Sequence, residues 1–378
     1  MAQTLVALTM PKFGLAMTEG KLASWTVDVG QATKQGDELA DIETSKITSG
    51  YESAAAGVLR RQVAQAGETL PVGALIGVLA DADATEAELD AFITKFQEEQ
   101  APQAESDTAE GPSSAPHPVE VAGYTLNVRE VGSGEGLPLL LVHGFGGDIS
   151  NWLLTQDSLA KNRKVIAFDL PGHGASSKNV QDGSLAGLAK VATSLLDALG
   201  VSKAHVMGHS LGGGVALTVL RDAPEKVASL TLIAPATIGT HVNADFITGF
   251  TEAERNRAVQ HELEKLVYNK ALIGRKMVDA VVRARRLDGA RDALRTIASA
   301  CFDNDRQRDA LLPVLEKTDI PVEVIWGQDD AILSADAAKT LPDKVEVHVL
   351  TESGHLPQME KAADVNKIVE EFLEKSEK

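Results

Sequence analysis

Along the first 80 residues the apolar positions come in short, often alternating runs cut by glycine, at 5–10, 20–27, 36–43, 47–52, 58–64 and 73–79. Such runs, punctuated by turn formers, predict an all-β domain. Gly30-Gln31 followed by Gly36 recurs 37 residues later as Gly67-Glu68 followed by Gly73, which predicts two related half-sheets in one small sandwich. Between 81 and 100 the period changes. Thr85 and Glu88 form a capping box, and Leu89, Phe92, Ile93 and Phe96 share one helical face. A stripe of this kind packs on a neighbouring domain or docks a partner. The stretch 101–118, APQAESDTAEGPSSAPHP, has no pattern that would bury a core, and its 18 residues extended would reach roughly 60 Å.

From residue 119 onward, continuous apolar runs stand at 137–142, 165–170, 204–207, 230–234, 322–326 and 345–350, with helical stretches such as 185–199 and 363–372 between them. Buried strands alternating with helices predict a mainly parallel α/β sheet. The segment from about 238 to 309 breaks the alternation and reads as several helices, an inserted cap. The expected organisation is therefore a β-sandwich over 1–80, an acidic Ala/Pro linker with one short helix over 81–118, and an α/β domain with a helical cap over 119–378.

Charge sharpens that division. The 378 residues carry 36 Lys+Arg and 54 Asp+Glu, net −18, which argues against nucleic acid or an anionic membrane surface as partner. Residues 1–80 hold six basic and eight acidic side chains; residues 81–118 hold one basic and ten acidic, net −9. Half of the net charge thus lies in 38 residues, as expected of a linker. No apolar run approaches the roughly 20 residues of a membrane span. The opening MAQTLVALTM lacks a basic region and a cleavage site, so it reads as a strand. The single Cys301 excludes a disulfide framework and reads as a buried filler. These features point to a cytoplasmic protein.

Two segments carry candidate chemistry. In Asp41-Ile42-Glu43-Thr44-Ser45-Lys46-Ile47-Thr48 a lysine sits between two short strands, at the polar tip of an expected hairpin. On position alone it is either a solvated turn residue or an attachment point. The surrounding MPKFGLAMTEGKLASW, DIETSKITSGYESAAAGVL and ETLPVGALIGVL resemble a lipoyl domain over essentially all of residues 1–80. That resemblance implies lipoic acid in amide linkage on Lys46. Glu43, Thr44 and Gly57 fit the family, while Ser45 replaces its more usual aspartate. Biotin carriers flank their lysine with methionines; Ser45 and Ile47 stand here instead.

In the second segment, Gly208-His209-Ser210-Leu211-Gly212 satisfies G-x-S-x-G between a strand and a helical run, the setting of a nucleophile elbow. Asp329 and Asp330 follow one later strand and His355 the next, giving the order Ser…Asp…His. Ser210 is then the nucleophile, His355 its base and an aspartate the orienting acid. The N–H of Leu211 and that of Phe145, with Gly146 as the alternative, would form an oxyanion hole. His143, His209 and the Asp169–Gly174 turn read as bracing. HGFGG, DLPGHG, GHSLGG, WGQDD and SGH in this order resemble the α/β-hydrolase superfamily, whose usual spacing favours Asp330 over Asp329.

The fusion of these two domains resembles the dihydrolipoamide acetyltransferase components of bacterial acetoin dehydrogenases. The resemblance implies acetyl transfer from a lipoyl arm on Lys46 to coenzyme A. It also implies a homo-oligomer working with a thiamine-diphosphate-dependent acetoin-cleaving component and a dihydrolipoamide dehydrogenase. The chain lacks the H-x-x-x-D-G motif of 2-oxoacid dehydrogenase acyltransferases and has no room for their subunit-binding domain. Two other readings compete: a carrier-tethered esterase or thioesterase, and a lipoyl carrier with a non-catalytic scaffold. Seven basic side chains over 275–296 (Arg275, Lys276, Arg283, Arg285, Arg286, Arg291, Arg295), set against three acidic ones, are candidates for coenzyme A phosphates or an ordinary solvated face.

Overall fold

In the computed structural model, the described residues are 5–11, 19–43, 48–53, 55–81, 84–100 and 115–377. They form two compact units, Met1–Glu110 and Gly111–Lys378. In the first, β1 (Leu5–Thr9), β2 (Glu19–Trp25), β3 (Ala32–Thr33), β4 (Glu38–Glu43), β5 (Thr48–Glu52), β6 (Gly57–Gln62), β7 (Thr69–Pro71) and β8 (Leu75–Ala80) build two four-stranded sheets. Their orders are β1-β8-β6-β3 and β5-β4-β2-β7.

The repeat seen in the glycines is a structural repeat. Gly30 donates to the Leu59 carbonyl at 2.7 Å and Leu59 to that of Gln31 at 3.0 Å. The image pair, Gly67 to Leu22 at 2.6 Å and Leu22 to Glu68 at 2.9 Å, lies 37 residues away with the partners exchanged. Gly30, Gly36, Gly67 and Gly73 have φ of +94°, +90°, +96° and +90°, and a Cβ on any of them would meet nothing. Backbone handedness, not crowding, therefore demands glycine there. Leu8, Leu22, Leu39, Ile42, Leu59, Ile76 and Leu79 fill the sandwich, each buried leucine contributing about 1.5–3 kcal/mol.

Helix α1 (Glu86–Gln100) starts at the expected capping box, with Thr85 N–H on Glu88 Oε2 at 2.8 Å. Its stripe of Leu89, Phe92, Ile93 and Phe96 packs with Leu75, Val78 and Ala80 of β8, so the helix extends the first unit's own core. Strands β4 and β5 pair with Glu43 opposite Thr48. Lys46 falls in the four residues joining them and lies outside the described residues.

The second unit opens with β9 (His117–Val121), β10 (Tyr124–Val131) and β11 (Gly136–Val142), followed by α2 (Gln156–Leu159), β12 (Arg163–Phe168), α3 (Leu185–Ala198), β13 (Ala204–His209), α4 (Leu211–Asp222) and β14 (Val227–Ile233). The cap then supplies α5 (Ala244–Glu252), α6 (Asn256–Glu264), α7 (Arg275–Arg285), α8 (Ala290–Cys301) and a ribbon of β15 (Phe302–Asp303) with β16 (Arg306–Gln307). The chain returns through α9 (Leu312–Lys317), β17 (Val322–Gly327), β18 (Glu346–Leu350), α10 (Pro357–Glu360) and α11 (Ala362–Ser376). The eight-stranded sheet runs β18-β17-β14-β13-β11-β12-β10-β9. All its pairs are parallel except β9 with β10 and β10 with β12. The ribbon was not foreseen, because two-residue strands carry no period to read.

Candidate active site

Ser210 stands between the end of β13 and the start of α4 with φ +53° and ψ −118°. A non-glycine residue there costs on the order of 1–3 kcal/mol and persists only if its surroundings enforce it. The enforcement is visible: Ser210 N–H donates to the Ile233 carbonyl at 2.9 Å, and the Ser210 carbonyl accepts from Gly213 and Ala236, each at 2.9 Å. The motif glycines are required by crowding. A Cβ on Gly208 would run into the Gly212 carbonyl, and one on Gly212 into the Val142 carbonyl.

His355 follows β18, with Nδ1 2.7 Å from Asp330 Oδ2. Their side chains are 3% and 0% exposed. The carboxylate is held from every side: Oδ1 accepts from the N–H groups of Ile332 (2.8 Å) and Leu333 (3.0 Å), and Oδ2 from Trp326 Nε1 (3.1 Å). Four donors thus converge on one carboxylate. An ionised carboxylate only accepts, so Nδ1 bears the proton and Nε2 is left free to take another. Asp329 is exposed, and its N–H goes to the Ser353 carbonyl at 2.9 Å. The geometry thus pairs His355 with Asp330.

The bracing histidines have defined roles. His209 Nε2 lies 2.7 Å from the His355 carbonyl, so that nitrogen carries the proton and ties the elbow to the histidine turn. Burial, with His355 adding to it, holds the His209 imidazole well below its usual range and therefore neutral. His143 accepts from Leu170 N–H at Nε2 (2.9 Å) and bonds the Gly144 carbonyl through Nδ1 (2.8 Å), which fixes the 143–146 loop. Burial lowers His143 and takes His173 down to about 3. Asp169 holds the turn after β12 through Ile149 N–H, Asn127 Nδ2 and Ala175 N–H at 2.7–2.8 Å. The 143–146 loop passes the nucleophile closely enough that a Cβ on Gly144 would lie 3.0 Å from Ser210 Cβ. Phe145 sets its ring edge-on to Phe250 and Phe302. Leu211 opens α4, where the first N–H groups have no partner within the helix.

Over the nucleophile lies a cavity of about 340 Å³. Ser210, Gly144 and Leu356 line it from the sheet side, and Phe246, Leu263 and Met277 from the cap. Its walls are mostly apolar; Asp148 and Lys276 are their charged members.

Residues 138–362 match the family described as alpha/beta hydrolase fold, and residues 6–79 the biotin/lipoyl family described as biotin-requiring enzyme. The chain is 46% identical to the dihydrolipoyllysine-residue acetyltransferase component of the acetoin cleaving system of Pseudomonas putida, over 97% of this chain and 98% of that one. The namesake of Cupriavidus necator is 38% identical, over 98% of each. The chain belongs to this family of acetoin-cleaving acetyltransferase components. A meta-cleavage product hydrolase of Pseudomonas fluorescens, 24% identical with a TM-score of 0.62 over 70% of this chain and 99% of that one, shares the fold of the second unit.

Within this family member four of the seven basic side chains of the cap stretch have partners inside the cap. Arg285 is buried, stacks 3.9 Å over Phe250, and donates to the carbonyls of Phe250 and Ala253; burial lowers it to about 10. Arg291 pairs with Glu254, Arg295 with Glu252 and Asp292, and Arg275 more loosely with Asp279. The Lys276 ammonium, on the cavity wall, makes no hydrogen bond or ion pair among the described residues. Cys301 is buried, and burial pushes its thiol up to about 12, so it is an inert filler. Among the described residues there is no cluster of metal-ligating side chains, and no helix long and apolar enough to cross a membrane. Sequence reading missed that the cap touches the histidine turn directly, through His355 N–H on the Leu266 carbonyl at 2.8 Å. A contact between elements 89 residues apart leaves no local signal.

Proposed function

We propose that the chain is the acetyltransferase of an acetoin-cleaving complex, with Ser210, His355 and Asp330 passing an acetyl group from a thioester on the lipoylated Lys46 to coenzyme A. The observation that carries this reading is the His355–Asp330 pair, together with an elbow serine that lines a mainly apolar, cap-covered cavity. Lipoate joined to Lys46 supplies a thiol that holds the acetyl group. The β4–β5 pairing supports that attachment, because it places Lys46 in the sequence between two paired strands, Glu43 opposite Thr48. A mostly apolar wall suits an aliphatic arm, and the free ammonium of Lys276 suits the phosphates of coenzyme A.

The chain's own groups perform the steps. Ser210 Oγ attacks the thioester carbonyl while His355 Nε2 takes its proton and returns it to the departing thiol, leaving acetyl-serine. The N–H groups of Leu211 and Phe145 face the oxygen that becomes negative. The coenzyme A thiol then gives its proton to His355 and attacks the ester, and Ser210 leaves with that proton. In this reading a thiamine-diphosphate-dependent component charges the arm, a dihydrolipoamide dehydrogenase reoxidises it, and a homo-oligomer of this chain joins them in the cytoplasm. Acetyl-dihydrolipoamide incubated with and without coenzyme A tests the reading. Acetyl-CoA from the wild type and none from Ser210→Ala supports it. Acetate alone would establish a tethered hydrolase, and full activity in Ser210→Ala a scaffold.

A further inference from the structure

Beside the bond from His355 N–H to the Leu266 carbonyl, one carboxylate side chain ties the turn that carries His355 to the cap. Glu360, at the end of α10, accepts through Oε1 from the N–H groups of Tyr268 (2.8 Å) and Asn269 (3.1 Å), both in the cap. Through Oε2 it accepts from the N–H of Gly354 at 2.6 Å, the residue before His355. These three N–H groups make no other hydrogen bond among the described residues. The two backbones also meet with nothing between them: a Cβ on Gly354 would lie 2.8 Å from the Tyr268 nitrogen and 2.9 Å from the Leu266 oxygen. The joined segments both face the cavity, Leu263, Leu266 and Ile273 from the cap and Leu356 and Met359 from the turn.

Hydrogen bonds to an ionised acceptor are roughly twice as strong as neutral ones. Three of them on one side chain make the cap and the histidine turn one mechanical piece. On acetyl-serine the choice of acceptor is decided by access. A thiol or a water can each give its proton to His355 and bond to the acetyl carbon as Ser210 Oγ leaves. We infer that Glu360 is a positioning residue that keeps the cap seated over the acetyl-serine, and thereby sets the preference for the coenzyme A thiol over water. The inference rests on the acetyl-transfer reading above.

The test is the ratio of acetate to acetyl-CoA formed by the full chain from acetyl-dihydrolipoamide at saturating coenzyme A. In Glu360→Gln one carbonyl acceptor remains and the amide nitrogen cannot accept, so the acetate share should rise about tenfold, with the KM for the donor moving less. Glu360→Ala should raise it further, leaving Gln as the intermediate variant. A ratio unchanged in both, with the two products falling together, overturns the inference. Amide exchange in the wild-type chain provides a check that needs no variant. Tyr268, Asn269 and Gly354 should be protected to the same degree; fast exchange at the first two beside a protected Gly354 also overturns it. Acetate alone from the wild type overturns the transfer reading itself, and the clamp with it.

Discussion

Ser210 holds a backbone conformation that an ordinary residue avoids, and two glycines pressed against carbonyl oxygens allow it to do so. These constraints are local, which is why the elbow was legible as five letters of sequence. The acid was not fully legible. Asp329 and Asp330 are neighbours after one strand, and only their directions distinguish them. Trp326 Nε1 and the N–H groups of Ile332 and Leu333 turn Asp330 inward, where its carboxylate meets His355. Asp330→Asn keeps the shape but allows the wrong imidazole tautomer, so acetyl transfer should fall by a factor of about 10³–10⁴. Asp329→Asn, at an exposed position, should stay within about twofold of wild type. Steady-state rates of acetyl-CoA formation by the two variants decide between them; a large loss in Asp329→Asn alone would reverse the assignment.

The strands and helices of the second unit were readable because buried parallel strands are continuous apolar runs. One of them hides an exception. Glu323 lies in β17 at 0% exposure, bonded to Thr231 Oγ1 at 2.8 Å, and its other oxygen has no partner among the described residues. Burial, reinforced by the Glu346 carboxylate and opposed by the Thr231 bond, raises it from 4.5 to about 8. The folded chain therefore binds a proton that the unfolded chain has released between these values. Stability is fully present below about pH 4.5 and falls as pH rises through about 8. Glu323→Gln, neutral throughout, should lose that slope. Its advantage over wild type should grow by up to ~1.4 kcal/mol per pH unit. Urea midpoints between about pH 5 and 8 measure this, and parallel profiles would contradict it. The cap was legible as helices, while its fastening to the histidine turn depends on backbone groups that no side-chain pattern encodes.

At the scale of the molecule, charge gave the first division and packing refined it. Half of the net −18 falls in residues 81–118. The helix within that stretch nevertheless belongs to the first unit, because its apolar face covers β8. Fourteen residues, 101–114, lie between α1 and the first described residue of the second unit. Their maximum reach is about 50 Å, shorter than the whole acidic stretch would span. The proposed transfer is divided between two units of one chain, a lysine for acylation in one and a serine that accepts the acyl group in the other. Its most direct test follows the acetyl group itself: the lipoylated full-length chain, acetylated on its reduced arm, is mixed with coenzyme A and quenched for intact-mass analysis. The acetyl group is expected to leave the wild-type chain as acetyl-CoA, to stay on Ser210→Ala, and never to load onto Lys46→Arg. Equal loss from Ser210→Ala, or release from the wild type as acetate, would contradict it.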